Sequence, residues 1–291
     1  MRDILSRNLI RLFGGVVLSA VLASCASAAE PVQSDFTLGD DGRIYIQTVV
    51  SGQSLNALVD TGLSSPFLTT PATASRLALR FIPIVRTAPM RGVDGRGVRG
   101  RIAGVKITSL GGAPGDWDLA AVVVDVPILR AEAMVGMDFL DGYDAAFDFR
   151  LRRLTLDEPG QAETGAAGFV NCDAAKPRFS LDDRCEATAI YVDTGGQTTL
   201  INPQMAALLN VQDGSEGVPT VIRGASGREV SAIRYNRPIL VRGLPVASVV
   251  VVDFPPRGGC SAPCPEMILG MDTLGQFASL RLTRKSITIT P

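Results

Sequence analysis

The chain has 291 residues, a formal net charge of −1 and no histidine. This length is enough for two domains of about 100–150 residues each, and the near-neutral charge argues against a nucleic-acid partner. Catalytic triads and the usual catalytic zinc sites need imidazole groups, so the sequence excludes both. No Gly-x-Gly-x-x-Gly lies between a strand and a helix, no Walker sequence appears, and none of the three lysines lies in a Ser-x-x-Lys motif. We therefore expect no metal and no cofactor, and any hydrolytic chemistry must use carboxylates.

The first part of the chain predicts export. Three arginines within the first eleven residues precede the apolar stretch 12–23, which is too short to span a bilayer and is typical of a secretory signal. The motif Leu22-Ala23-Ser24-Cys25 resembles a bacterial lipobox, which would place a lipid anchor on Cys25. Ala26-Ser27-Ala28 instead fits ordinary cleavage. The signal peptide thus covers 1–25, or extends to 28. We expect a protein of the periplasm or envelope and slightly favour the lipoprotein.

Lobe 1 is predicted over residues 30–157 and starts with a polar tether at 30–42. Short β-branched runs separated by turn residues are typical of an all-β domain. The predicted elements are strands at 44–50 and 54–59, a helix at 71–79, a glycine-rich hairpin at 88–103, and strands at 102–109 and 118–125. The second strand leads into the triplet Asp60-Thr61-Gly62, and a hairpin at 147–156 closes the lobe.

A linker is predicted over 158–168 because this segment is composed mainly of Gly, Ala and Glu. Lobe 2 follows over residues 169–291. Its predicted elements repeat those of lobe 1: a strand at 187–192, a helix at 202–209, a hairpin at 221–232 and final strands within 279–289. The second triplet, Asp193-Thr194-Gly195, again follows an apolar run.

The two lobes share landmarks at a nearly constant spacing. The triplets lie 133 residues apart, the hairpin glycines Gly92 and Gly224 lie 132 apart, and Gly136 and Gly270 lie 134 apart. Landmarks repeated in one order at one spacing indicate an internal duplication. The duplication supplies one carboxylate per lobe, and two carboxylates brought together can share a proton, so that one acts as base and the other as acid.

Four cysteines remain besides Cys25, and an exported protein meets an oxidising compartment. Cys172 with Cys185 and Cys260 with Cys264 are the pairings closest in sequence, although sequence alone leaves the others open. The second pair lies in a stretch of lobe 2 that is six residues longer than its counterpart in lobe 1. A bridge that holds a long loop is therefore favoured over a redox or metal-binding role.

The duplicated pattern resembles the pepsin and retropepsin superfamily of aspartic peptidases. The matching motifs are an apolar run before each Asp-Thr-Gly, a glycine-rich hairpin about thirty residues later, and an apolar pair before Gly136 and Gly270. The Gly-Met-Asp-Phe-Leu form at 136–140 is similar to bacterial retropepsin-like proteins. The resemblance covers both lobes and implies an all-β fold, in which two duplicated retropepsin-like β-barrel lobes form a bilobal pseudo-dimer. Because this chain carries both halves, we expect a monomer.

The resemblance also implies roles for the matched residues. Asp60 and Asp193 would form a catalytic dyad. The active-site loops would be supported by Thr61, Gly62, Thr194 and Gly195, and the two flaps would be built around Gly92, Gly95, Gly224 and Gly227. The predicted function is an aspartic endopeptidase of the bacterial cell envelope, which would cleave protein or peptide substrates with a water activated between the aspartates. The alternative is a catalytically inactive envelope lipoprotein that binds a peptide or glycan with the same fold.

Overall fold

The computed structural model describes residues 30–86, 90–126, 130–160, 168–212, 216–260 and 264–291. The predicted signal segment with Cys25, and residues 161–167 of the predicted linker, lie outside these ranges. The described residues form mostly β-strands with four short helices, which confirms the all-β prediction. No helix within these ranges is long and apolar enough to cross a membrane.

Thirteen strands and two helices are described in the first half of the chain. The strands are β1 Val32–Asp35, β2 Thr37–Leu38, β3 Ile44–Val50, β4 Gln53–Asp60, β5 Phe67–Thr69, β6 Phe81–Arg86, β7 Met90–Arg91, β8 Gly97–Val98, β9 Arg101–Leu110, β10 Ala113–Val123, β11 Ala133–Gly136, β12 Asp144–Asp148 and β13 Arg153–Asp157. The helices are α1 Pro71–Arg76 and α2 Met137–Leu140.

The second half repeats this order with twelve described strands and two helices. The strands are β14 Phe169–Val170, β15 Arg178–Phe179, β16 Ala189–Val192, β17 Leu200–Ile201, β18 Val218–Arg223, β19 Glu229–Tyr235, β20 Ile239–Val241, β21 Leu244–Val246, β22 Val249–Val251, β23 Glu266–Leu269, β24 Ser279–Leu282 and β25 Ser286–Thr290. The helices are α3 Pro203–Leu208 and α4 Met271–Leu274.

Helices α1 and α3 have the same local design. The side chains of Thr70 and Asn202 each accept a hydrogen bond from the main chain three residues later, and a proline starts each helix. Both helices end earlier than predicted. Ala78 and Asn210 adopt the left-handed conformation with φ of 51° and 50°, which ends the regular hydrogen bonding of a helix.

A six-stranded sheet joins the two lobes, in the order β1-β13-β12-β24-β25-β14. Strands β12 and β24 pair antiparallel at its centre, with Phe147 opposite Leu280. Each strand from lobe 1 has its duplicated counterpart at the same distance from the centre on the other side: β12 matches β24, β13 matches β25, and β1 matches β14. An approximate twofold axis therefore runs between β12 and β24. The prediction of a polar tether at 30–42 was wrong, because β1 pairs with β13 in this sheet and β2 pairs with β3 in the next.

Lobe 1 also has an eight-stranded sheet in the order β2-β3-β4-β11-β5-β10-β9-β6, which an additional pairing of β3 with β9 closes, and a separate pair of strands, β7 and β8. Strand β9 alternates between exposed and buried residues, and its buried side chains Ala103, Val105 and Ile107 point inward. The strand predicted at 44–50 coincides with β3. Hydrophobic burial of this kind contributes roughly 1.5–3 kcal/mol for each large apolar side chain.

Lobe 2 has a seven-stranded sheet in the order β15-β16-β23-β17-β22-β19-β18. Successive residues of β16 face opposite sides of this sheet. Ile190 and Val192 belong to the main core, whereas Ala189 and Tyr191 belong to a second apolar cluster, which we call the lobe 2 wall. The two-residue alternation places the next odd-numbered residue, Asp193, on the side of this wall.

Candidate active site

Asp60 and Asp193 occupy equivalent places in the two lobes. Asp60 is the last residue of β4, where it pairs with Gly136 of the parallel strand β11. Asp193 directly follows β16, and its main-chain N–H donates to the carbonyl of Leu269 in the parallel strand β23 at 3.0 Å. Each aspartate therefore lies at the end of a buried strand, and a neighbouring parallel strand holds its main chain in place.

The two carboxyl groups come together across the lobe interface, close enough that, in addition to burial, the charge of Asp193 raises the pKa of Asp60. The N–H of Gly62 donates to Oδ1 of Asp60 at 2.8 Å, and the N–H of Gly196 donates to Oδ1 of Asp193 at 2.9 Å. A β-carbon on Gly62 would lie 2.6 Å from the carboxyl carbon of Asp193, and one on Gly195 would lie 2.2 Å from that of Asp60. Only glycine lets each loop approach the opposite carboxyl this closely.

Thr61 and Thr194 link the two active-site loops and are fully buried. The hydroxyl of Thr61 donates to the carbonyl of Val192 at 2.7 Å, and the hydroxyl of Thr194 donates to the carbonyl of Val59 at 2.8 Å. Each hydroxyl also accepts the N–H of the other threonine. These bonds set the separation of the two aspartates, because each loop is fixed to the strand that precedes the other.

Burial raises the pKa of Asp60 to about 8, and the negative charge of Asp193 contributes to the rise. The N–H of Gly62 and the charge of Arg257 oppose it. A carboxyl with such a pKa keeps its proton near neutral pH. The pair can therefore hold one proton and one negative charge, which is the state required for combined acid and base chemistry.

Gly136 and Gly270 lie against the active-site loops, at the ends of β11 and β23. A β-carbon on Gly136 would come within 2.1 Å of the carbonyl oxygen of Ser65, and one on Gly270 within 2.6 Å of the carbonyl carbon of Thr198. The next residue in each lobe donates its N–H into the loop. The N–H of Met137 donates to the carbonyl of Leu63, and the N–H of Met271 donates to the carbonyl of Gly196, both at 2.8 Å.

The two glycine hairpins meet at their tips. We call residues 90–98 the first flap and residues 218–235 the second flap. Gly95 and Gly227 take positive φ in the two turns, at 71° and 80°. A β-carbon on Gly92 would lie 2.9 Å from the main-chain nitrogen of Ala225, and one on Gly224 would lie 2.3 Å from the carboxyl carbon of Asp94. The four flap glycines thus serve tight turns or close contact between the flaps.

The tips are joined by Asp94, whose carboxylate accepts hydrogen bonds from both the N–H and the hydroxyl of Ser226. Beside it, Val93 packs on the lobe 2 wall. A cavity of about 540 Å³ lies between the first flap and lobe 2. It is lined by Val93, Asp94, Gly95, Arg228, Glu229, Val230, Ser231, Asp253, Phe254, Pro255 and Pro256.

This paired-aspartate geometry agrees with what the sequence comparisons find. Residues 179–273, which include Asp193, match the family model for aspartyl proteases. The matched region lies within lobe 2, so the similarity to this family covers about a third of the chain. A similar solved structure is the EIAV protease complexed with the inhibitor HBY-793, with 24% identity over 34% of this chain and 85% of that chain, and a TM-score of 0.28. A comparison with curated proteins found no significant match. The family match supports a peptidase-like function and suggests a hydrolase.

The two disulfides among the described residues join cysteines that are close in sequence. Cys172 bonds Cys185, and Cys260 bonds Cys264. The sulfur atoms of the second pair lie close to the carboxylate of Glu266. Since a bridged cysteine offers no thiolate, this group is a loop closure and not a metal site.

Two arginines of the candidate site were not found from the sequence. Nη1 of Arg257 lies 4.0 Å from Oδ2 of Asp193, and Nη1 of Arg43 donates to the carbonyl of Gly195 at 3.4 Å. The guanidinium of Arg43 is also paired with Asp41 at 2.7 Å. Neither arginine belongs to a repeated motif. The one sequence signal for Arg257 was the extra length of its stretch in lobe 2.

Proposed function

We propose that this chain is an aspartic endopeptidase of the bacterial cell envelope, with Asp60 and Asp193 as its catalytic dyad. The observation that carries the proposal is the pairing of two carboxyls from different lobes, one of which keeps its proton near neutral pH. In this state a water bound to the pair can be deprotonated by one carboxylate while the other carboxyl protonates the carbonyl oxygen of a peptide bond.

The protons balance over a full cycle. The charged carboxylate takes a proton from water, the water oxygen bonds to the peptide carbon, and the neutral carboxyl gives its proton to the carbonyl oxygen. A gem-diol results. One of its hydroxyl protons returns to the second carboxyl, the first carboxyl protonates the amide nitrogen, and the carbon–nitrogen bond breaks. The products are a carboxylic acid and an amine, and the dyad regains its starting state.

The flaps and the cavity beside them support a peptide as the substrate. The flap tips close over the cleft through Asp94 and Ser226, and a closed cleft excludes water from the reacting groups. The cavity of about 540 Å³ between the first flap and lobe 2 offers space for substrate side chains. We propose a protein or peptide substrate that binds as an extended segment beneath the flaps, cleaved at an internal bond.

The decisive test is a set of matched Asp→Asn variants on an unbiased peptide mixture, with new peptide ends read by mass spectrometry. Asp60→Asn and Asp193→Asn should each lower cleavage by about 10³-fold or more, and the double variant should be no worse than either single one. Asp116→Asn, an exposed site on β10, is the control and should cleave like wild type. Binding of peptides without any cleavage by wild type would contradict the proposal and favour the non-catalytic alternative.

We also propose that the protein is exported and held at a membrane by a lipid on Cys25. Two disulfides in the described residues support an oxidising compartment. Acyl chains contribute about 0.8 kcal/mol for each buried CH₂ group, so wild type should partition into the detergent phase. Cys25→Ser should leave it in the aqueous phase or unprocessed. A mature N-terminus at Ala29 would contradict the lipid anchor.

A further inference from the structure

Arg257 gives the aspartate pair an asymmetry that the duplication alone would not produce. Its Nη1 lies 4.0 Å from Oδ2 of Asp193, and the two side chains are only 22% and 13% exposed. Among the described residues, no lysine or arginine forms an ion pair with Asp60. A partly buried cation beside one carboxylate is screened much less than a surface pair, so it favours negative charge there.

The backbone of Arg257 is fixed by a buried acid. Its main-chain N–H lies 3.1 Å and 3.2 Å from the two carboxylate oxygens of Glu266, whose side chain is buried at the start of β23. The same strand ends at Leu269, which accepts the N–H of Asp193. Strand β23 therefore holds the main chains of both Arg257 and Asp193, whose side chains face each other.

The side chain of Arg257 also lies beside the lobe 2 wall. Its guanidinium carbon is 5.7 Å from the ring centre of Tyr191, a buried residue of this wall two positions before Asp193. The arginine stands in the extra residues of lobe 2. From Asp253 to Asp272 is 19 residues, whereas the matching stretch of lobe 1 from Asp125 to Asp138 is 13. The Cys260–Cys264 disulfide closes the loop that follows it.

We propose that Arg257 assigns the roles within the dyad: it holds the negative charge on Asp193, so that Asp193 is the base that deprotonates water and Asp60 is the acid that carries the shared proton. The proposal rests on the aspartic peptidase function proposed above. In the cycle, the proton of water goes to Asp193, and the proton of Asp60 goes to the substrate carbonyl oxygen. Arg257 is a positioning residue, because it acts through Asp193.

The other charged groups near the pair do not supply the same bias. Arg43 reaches the carbonyl of Gly195, but its charge is paired with Asp41. Arg178, Glu266 and Tyr191 interact with one another and with Arg257. Burial raises the pKa of Asp60 above that of an ordinary carboxyl, which is the direction expected for the member that keeps the proton.

The experiment compares Arg257→Met, which removes the charge at similar length, with Arg257→Lys, which keeps it. Removal of a cation at this distance should move both limbs of the pH profile of kcat/KM upward by about one pH unit or more. The lysine variant should keep limbs close to those of wild type. A purely structural role would lower activity in both variants without moving the limbs, and this result would overturn the proposal.

A second measurement needs no cleavage and therefore separates this proposal from the proposed function. Carboxyl signals of isotope-labelled aspartate can be assigned to the pair from the spectra of Asp60→Asn and Asp193→Asn, and then titrated in wild type. Asp193 should ionise first and Asp60 last, and Arg257→Met should bring the two steps closer together. Ionisation of Asp60 before Asp193, or no effect of Arg257→Met, would overturn the inference even in an active enzyme.

Discussion

Thr61 and Thr194 are joined by two reciprocal hydrogen bonds, because the main-chain N–H of each donates to the side-chain hydroxyl of the other. The N–H of Thr61 donates to Oγ1 of Thr194 at 3.1 Å, and the N–H of Thr194 donates to Oγ1 of Thr61 at 3.0 Å. Both side chains are buried. The aspartate loops cannot separate without leaving these polar groups unpaired, which is costly inside a protein.

We predict that Thr61→Val lowers the free energy of unfolding by about 2–4 kcal/mol, because it leaves the N–H of Thr194 and the carbonyl of Val192 without partners. Cleavage should fall as well, since the aspartates lose their fixed separation. Thr61→Ser keeps the hydroxyl and should be much milder. Urea unfolding of both variants checks this, and equal losses in the two would show that the methyl group matters more than the hydrogen bonds.

The dyad should make the protein less stable as pH rises. The pKa of Asp60 is raised in the folded state from 3.8 to about 8, so between these values the folded protein holds a proton that the unfolded chain has released. Excess proton binding by the folded state means that the free energy of unfolding falls as pH increases through this window. Asp60→Asn should remove this dependence and gain stability relative to wild type, on the order of a few kcal/mol by pH 8.

Urea unfolding of wild type and Asp60→Asn at several pH values between 4 and 8 measures this difference, with Asp116→Asn as the exposed control. A constant gap between wild type and Asp60→Asn across the window would mean that Asp60 is not protonated in the folded protein.

Gly136 should not tolerate a methyl group, because its β-carbon would meet the carbonyl oxygen of Ser65 at 2.1 Å. We expect Gly136→Ala to cost about 2 kcal/mol or more and to reduce cleavage, since the shifted residue pairs with Asp60. Gly104→Ala is the matched control. A β-carbon on Gly104, in β9, would have no neighbouring atom within 4 Å, so its substitution should be neutral or slightly stabilising. Similar thermal stability of the two variants would contradict the prediction.

The bond between the flaps should help to keep the cleft closed over substrate. Asp94→Ala and Ser226→Ala each remove the contact between the tips, and KM should rise roughly three- to tenfold in both. Since both bonds end on Asp94, the double variant should resemble Asp94→Ala. Additive losses in the double variant would show that the residues act separately.

Much of the site could be predicted because it depends on local sequence. The run into each Asp-Thr-Gly is a buried strand, and the flap glycines lie in turns or at close contacts where only a small residue fits. Other features could not be found this way. The segment 30–42 is polar enough to suggest a tether, yet β1 is held by its pairing with β13, more than a hundred residues away. The places of Arg43 and Arg257 in the site could not be found this way either, since Gly195 and Asp193, which they contact there, are far from them in sequence.

The sequence by itself determined the duplication, the two aspartates and the all-β class, because repeats, hydrophobic periodicity and turn residues are properties of the linear sequence. The tertiary structure alone decided that the aspartates meet, that β12 and β24 join the lobes into one sheet, and that Asp94 bonds Ser226. It also decided that one aspartate has an arginine beside it and the other does not form such a pair among the described residues. These relationships depend on distances between residues far apart in sequence, and such distances are set by packing of the whole fold.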